Sequence, residues 1–401
     1  MANKGSESLC PTDVRDRMIA LRHELHRHPE LSFRETWTAE RLQGELAALA
    51  PKSLDRVAGT GLVARIAGTD PSMPVVAIRG DVDALPIQEE TGVDFASAND
   101  GVMHACGHDV HAAWAVGAAH LLSRHPAAGD VVILLQPAEE SGRGAVAMIE
   151  GGALEGVEAI VGAHVDLRFE VGTVVAQPGP VAASTDDFSI ELAGAGAHAA
   201  RPHEAADPII GAAALVSSLQ AIVARRVAPG VPAVVTVSTL HAGSASNVIP
   251  ERACLTGTLR AVDQDTRSLL QAETRRITEA VASAYGLVAS FHISGGTPPL
   301  VNDAKTIVWA QEAARSLLGD NSLATLPEPN LGGEDFAFYL ERIAGCFLRI
   351  GARTPGREPV PAHSARFLPA DDAVLVGSAL LAETARRAAV ALSRGGSSVR
   401  S

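Results

Sequence analysis

Three short apolar runs at 75–79, 131–135 and 159–165 are each bounded by Gly, Asp or Pro, and stretches of helical periodicity at 110–124 and 143–151 separate them. An apolar run of this length has no alternating solvated face, so such strands read as buried in a largely parallel sheet. A β-α alternation of this kind requires covering helices on both faces, which predicts an α/β domain. Two further helical stretches lie upstream, at 13–28 and 35–49, and the first stops before Pro29, as the residue preceding proline favours. With 47% hydrophobic and 20% charged residues the chain has ample material for buried cores, which excludes a mostly disordered protein. Its 401 residues call for two or three domains.

The pattern changes near residue 184. Phe188, Ile190 and Leu192 alternate with polar residues, as in a half-buried strand. Asp207-Pro208 offers an N-cap and first-turn proline for a helix running to Arg226. Strands at 233–240 and 253–260, a helix capped by Asp265 and stopped by Gly286, and a strand at 287–293 complete the order β-α-β-β-α-β, the ferredoxin-like plan. Helix-rich α/β patterning resumes near 303. The expectation is a catalytic α/β domain in two parts, 1–183 and 303–401, with a smaller α+β domain inserted at 184–302. The terminal SRGGSSVRS reads as a polar, disordered tail.

Net charge narrows the partners. Lys and Arg number 33 against 46 Asp and Glu, a balance of −13. That is poorly suited to nucleic-acid phosphates or an anionic membrane surface. Apolar stretches are interrupted well short of the roughly 18 residues a membrane span needs. Four cysteines without a CxxC pair do not make a disulfide framework, and the N-terminal segment has no apolar leader core. These features point to a soluble cytoplasmic protein with reduced thiols.

Chemistry-bearing residues gather at the expected strand ends, where open α/β sheets place their sites. Asp81 and Asp83 follow the first run and, two apart, face the same way, as site residues at a strand end or as a solvated turn. MHACGHDVHAA (103–113) holds Cys106 and His108 on either side of Gly107, a pair suited to zinc or a neighbouring transition metal. Asp109 is a plausible helix cap there, and His104 and His111 have possible structural roles. QPAEES presents Glu139 and Glu140, which either favour a helix N-terminus or divide labour between metal binding and proton transfer. His164 ends the third run, whereas His363, in PAHSARF, reads on its own as a surface loop residue. In the insert, GAGAHAARPH mimics a G-x-G-x-x-A dinucleotide loop. The helix and acidic partner that a nicotinamide site needs do not follow, so the loop is read as projecting His198. Asn247 lies in GSASNVIPERA. Arg260 alternates away from Leu255 and Leu259, facing either solvent or a carboxylate ligand. LGGEDFAFYL reads as an anion-binding turn or as a capped helix with Phe336 and Tyr339 in the core.

MHACGHD, QPAEES, GAHAARPH, SNVIPERA and GGEDF, in this order, resemble the dinuclear-metal aminoacylase/carboxypeptidase superfamily. The closest likeness is to the amidohydrolase branch that includes hippurate hydrolase and indole-acetyl-amino-acid hydrolase. The likeness spans nearly the whole chain, from HRHPELSFRE (26–35) to HSARF (363–367). It implies a metal-bearing catalytic domain with an inserted lid that mediates homodimerisation. It also implies two divalent ions per chain, zinc or manganese, with cobalt or nickel accommodated. By position Cys106, His108, Glu140, His164 and His363 match metal ligands, Glu139 the general base, and Asp83 a residue supporting a ligand or the base. His198 matches a lid histidine that stabilises the oxyanion in a partner's site, and Asn247 and Arg260 match substrate-binding lid residues. The implied reaction is cleavage of N-acyl amino acids to a carboxylic acid and a free amino acid. The alternative is a metallo-exopeptidase, a dipeptidase or carboxypeptidase, on the same scaffold. Ser141-Gly142-Arg143 after the paired Glu, and Asp166 and Arg168 in HVDLRFEVG, depart from the usual pattern, and the latter two bear on substrate preference.

Overall fold

The computed structural model describes residues 9–395. The chain divides into two compact units. Of the described residues, the first comprises 9–179, 302–327 and 338–395, and the second 180–301 and 328–337.

The first unit is built on an eight-stranded sheet in the order Ser53–Val57, Gly61–Ile66, Val131–Gln136, Val76–Asp81, Ala159–Glu170, Ala344–Arg353, Val174–Val175, Leu323–Ala324. The four central strands are mutually parallel, and the hairpin Ser53–Val57/Gly61–Ile66 adds on antiparallel. The three apolar runs read from the sequence are three of the four parallel strands, and each is buried at nearly every position. The hairpin and the strand Ala344–Arg353 have no counterpart in the sequence reading. The helix His108–Arg124 is apolar on nearly all sides and buried over most of its length. It packs on Val76–Asp81 and between Thr12–Arg27 and Asp372–Gly395. Gly377 permits that approach, because a Cβ there would lie 2.3 Å from the Trp114 ring. Of the expected tail, Ser393 to Gly395 continue the last helix, and the rest lies outside the described residues, as do the first eight.

The second unit carries an antiparallel sheet ordered Ala233–Ala242, Arg252–Ala261, Asp186–Ala193, Val288–Ser294. With the helices Pro208–Leu219 and Gln264–Ala284 this is the ferredoxin-like arrangement. The helix expected to run to Arg226 breaks at Gln220 into Pro208–Leu219 and Ala221–Arg226. The second long helix is capped by Asp263, which accepts from Thr266 N–H, rather than by Asp265. Residues 328–337 join this unit, and it begins at Pro180 rather than near 184. The cause is main-chain pairing: Ala183 N–H reaches Asn330 and Gly332 carbonyls, and Asn330 N–H reaches Val181. The capped helix considered for LGGEDFAFYL reduces to the single turn Ala337–Leu340, although Phe336 and Tyr339 are both buried.

Candidate metal centre and active site

The C-terminal ends of Val76–Asp81 and Val131–Gln136, the middle of Ala159–Glu170, where the strand runs on past His164, and the loop at His363 bring the expected first-unit residues together. Cys106 and His108 sit at the N-terminus of the helix His108–Arg124. Gly107 between them takes φ 87°, and a Cβ there would meet the Val165 methyl at 2.5 Å. Glycine is therefore required both for the left-handed turn and for the approach of the next strand. Cys106, His108 and His164 place one donor atom each within 4.8 Å of one another, and so do Cys106, Glu140 and His363, and His108, Glu139 and Glu140. Cys106 is common to the first two groups. Cys106 Sγ lies 3.2 Å from His164 Nε2. Glu140 Oε1 lies 3.8 Å from His108 Nε2 and 3.5 Å from His363 Nε2.

These spacings fit a metal. Donor atoms about 2.1 Å from a tetrahedral ion lie roughly 3.4 Å apart. His108 Nε2 and Glu140 Oε1 are both buried without a hydrogen-bond partner, an expensive arrangement for two groups that serve no ion. Thiolate, imidazole and carboxylate together suit zinc and its neighbours. Burial and the neighbouring Glu140 push the Cys106 thiol well above its usual range. A divalent ion reverses that balance, because thiol ligands bind deprotonated.

Asp83 is the hub beneath this cluster. Its Oδ1 accepts from Glu139 N–H at 3.0 Å and pairs with His108 Nδ1 at 3.2 Å. Its Oδ2 accepts from Glu140 N–H at 3.1 Å and the Ser32 hydroxyl at 2.7 Å. Burial, the largest single influence, would raise the Asp83 carboxyl, but the bond from His108, the His108 charge and the Ser32 hydroxyl together hold it below its usual range. The same bond keeps a proton on His108 Nδ1, so that with an ion bound the Nε2 lone pair would be the one offered on the Glu140 side. Glu35 was not singled out from the sequence. It is fully buried and accepts N–H bonds from Phe33 and Ala138, both at 2.9 Å, and the Thr60 hydroxyl. It thereby pins Ala138, at φ 56°, immediately before the paired glutamates. No local signal links residues 35 and 138. His363 is itself left-handed at φ 65°, and its N–H bonds the Ala105 carbonyl at 2.8 Å, tying its loop to Cys106.

Asp109 does not cap its helix; Gly107 occupies that position. Its carboxylate instead accepts from Arg22 Nε and His26 Nδ1, each at 2.9 Å, and His26 Nε2 reaches Glu89 at 3.1 Å. Burial would lower the His26 imidazole, but Asp109 and Glu89 overcome it and raise it to about 9 from 6.5. A raised folded value means the charged imidazole stabilises the fold fully below pH 6.5 and ceases to do so as pH rises through about 9. At about 1.4 kcal/mol per tenfold the gap is worth on the order of 3 kcal/mol. Urea midpoints should therefore fall between pH 7 and 9.5 in the wild type and fall much less in His26→Gln. Equal slopes would refute the assignment.

His198, Asn247 and Arg260 belong to the second unit. His198 is exposed in a two-residue strand paired with Val248–Ile249, and its Nδ1 accepts from Ala200 N–H at 3.1 Å. Ala199 N–H bonds the Asn247 carbonyl at 3.0 Å, so one ribbon carries both residues. Arg260 lies on Arg252–Ala261, on the side opposite the buried Leu255 and Leu259.

Residues 77–387 match the peptidase family M20/M25/M40. The chain is 40% identical over 373 residues to an N-acetyl-L-cysteine deacetylase of Bacillus subtilis, covering 92% of this chain and 88% of that one. It is 33% identical over 373 residues to thermostable carboxypeptidase 1 of Saccharolobus solfataricus, covering 91% and 94%. A solved Bacillus subtilis protein described as a dinuclear metal binding peptidase of the M20 family superposes with a TM-score of 0.83. It shares 37% identity, with 94% of this chain and 98% of that one covered. With the match extending over most of its length, the chain belongs to peptidase family M20/M25/M40.

Proposed function

We propose that this metallo-amidohydrolase cleaves N-acyl amino acids to a carboxylic acid and a free amino acid. The observation that carries the reading is the convergence of Cys106, His108, Glu140, His164 and His363, with Glu139 alongside. The deacetylase relative supports an acylated amino acid as substrate. In this reading the five residues hold two divalent ions, zinc or manganese. When bound, such ions polarise the scissile carbonyl and acidify water.

The protein's own groups supply the remaining chemistry. Glu139 takes a proton from the attacking water and delivers it to the departing amine. Asp83 holds the backbone N–H groups of both glutamates, so the base and its neighbouring ligand keep a fixed offset. Arg260 and Asn247 bind the substrate's carboxylate or carbonyl, and His198 stabilises the oxyanion in the site of a second copy. The reading includes a homodimer formed through the second unit and a cytoplasmic location. The unpaired state of all four cysteines supports the location. Among the described residues no helix is long and apolar enough to cross a membrane.

A carboxypeptidase or dipeptidase is the second reading, favoured by the carboxypeptidase relative. Metal content measured alongside a panel of N-acyl amino acids and free dipeptides tests both. The expected result is about two ions per chain and release of free amino acid from the acylated substrates. A chelator should abolish turnover, and added zinc or manganese should restore it. Turnover of dipeptides alone would select the second reading. Turnover that survives complete metal removal would refute both.

A further inference from the structure

His111 lies one helical turn beyond His108, is fully buried, and is left unused by the proposed chemistry. Its nitrogens are both committed. Nδ1 pairs with Asp81 Oδ1 at 2.6 Å, and Nε2 accepts the Val165 N–H at 3.0 Å. An N–H arriving at Nε2 requires a lone pair there, so the ring is neutral with its proton on Nδ1. Asp81 is held in turn by Arg79, whose Nε also donates to Gln136 at 2.9 Å. Asp81, His108 and His111 cluster as a metal-binding triad would. A metal there would have to displace one of these two short bonds, from Asp81 at Nδ1 or from Val165 at Nε2, so His111 is better suited to bracing than to ligation.

What it braces is the ligand next door. Val165 follows His164, and the Val165 carbonyl takes the His164 Nδ1–H at 2.7 Å. That bond leaves the His164 Nε2 lone pair facing Cys106 Sγ. The His111 ring also packs edge-on to His164, with centroids 4.6 Å apart, and stacks on Trp114 at 4.5 Å. We propose that His111 is a positioning residue for the metal centre: it grips the Val165 peptide so that His164 presents Nε2 beside Cys106. Ligand orientation of this kind, through partners outside the coordination sphere, typically changes metal affinity by about 10–100-fold.

The inference rests on the metal-centre reading, and the experiment separates the two. Wild type, His111→Asn and His111→Gln are stripped of metal, and zinc binding is measured by dye competition beside apo-protein thermal unfolding. Asn reaches the Nδ1 position and keeps a donor for Asp81, but has nothing for Val165. Gln reaches the Nε2 position and restores an acceptor. The expected result is a loss of roughly 10–100-fold for one of two zinc ions in His111→Asn, with recovery to within about threefold in His111→Gln. Equal affinities in all three proteins, or equal losses in both variants, would overturn the role. Failure of the wild type to bind zinc would overturn the metal-centre reading and the brace with it. Nitrogen-15 histidine spectra of the apo wild type need no variant. His111 and His164 should both be neutral Nδ1–H tautomers, and an Nε2–H tautomer at either refutes the brace.

Discussion

Glu139→Gln is expected to lower kcat by roughly 10²–10⁴ while metal content and KM stay near wild type. Gln is isosteric and keeps the backbone N–H that Glu139 donates to Asp83, so the turn at the end of Val131–Gln136 should persist. It cannot accept a proton at neutral pH, and the base is lost without the scaffold. The competing role is ligation, because Glu139 also groups with His108 and Glu140 at metal-binding spacing. Metal stoichiometry decides between them. A variant with full metal and little turnover is the outcome for a base, and a variant that loses an ion makes Glu139 a ligand. More than a tenth of wild-type kcat with full metal would leave Glu139 in neither role. Glu140→Gln should show the reverse pattern, with metal lost first and activity partly restored by excess zinc.

The features that placed this site were local ones. The apolar runs before Asp81, Gln136 and His164 have the length and bounding residues of buried strands, and their register brings their ends side by side. Cys106-Gly107-His108 is informative because the spacing and the glycine both constrain geometry, and Gly107 does take a left-handed turn. Other parts depend on partners far along the chain. Ala344–Arg353 contains Gly and Arg within its apolar run, so periodicity does not separate strand from helix there, yet it pairs with Ala159–Glu170 along most of its length. Residues 328–337 join the second unit through main-chain bonds that leave no side-chain signature. His363 sits in a loop, and only its resemblance to a family position singled it out. Glu35 and Ala138 are joined by a single carboxylate 103 residues away in sequence. Asp109 looked like a cap because an acidic residue at a helix start usually is one. Burial gave it a stronger use, in holding Arg22 and His26.

The second large effect is at Asp83, where the usual conservative substitution should fail nearly as badly as truncation. The carboxylate is buried and receives donors on both oxygens: His108 and Glu139 N–H on Oδ1, Ser32 and Glu140 N–H on Oδ2. Asp83→Ala leaves these donors without an acceptor, and each stranded buried group costs about 1–3 kcal/mol. A combined loss of about 3–5 kcal/mol is expected, since the costs of neighbours sharing one partner do not simply add. Asp83→Asn keeps one oxygen but sets an amide NH₂ against a backbone N–H, at Glu139 in one orientation and at Glu140 in the other. The Ser32 hydroxyl can rotate to accept, whereas neither backbone group can. The paired glutamates are therefore pushed off their positions, and His108 loses part of the bond that keeps a proton on its Nδ1. Both variants should bind metal at least tenfold more weakly and lose most of their turnover, and Asn should recover only a minority of the stability lost in Ala. Apo-protein unfolding, metal affinity and kcat measured together test this. If Asp83→Asn comes within threefold of wild type in both affinity and kcat, the two-sided acceptor role is wrong, and Asp83 acts on His108 alone.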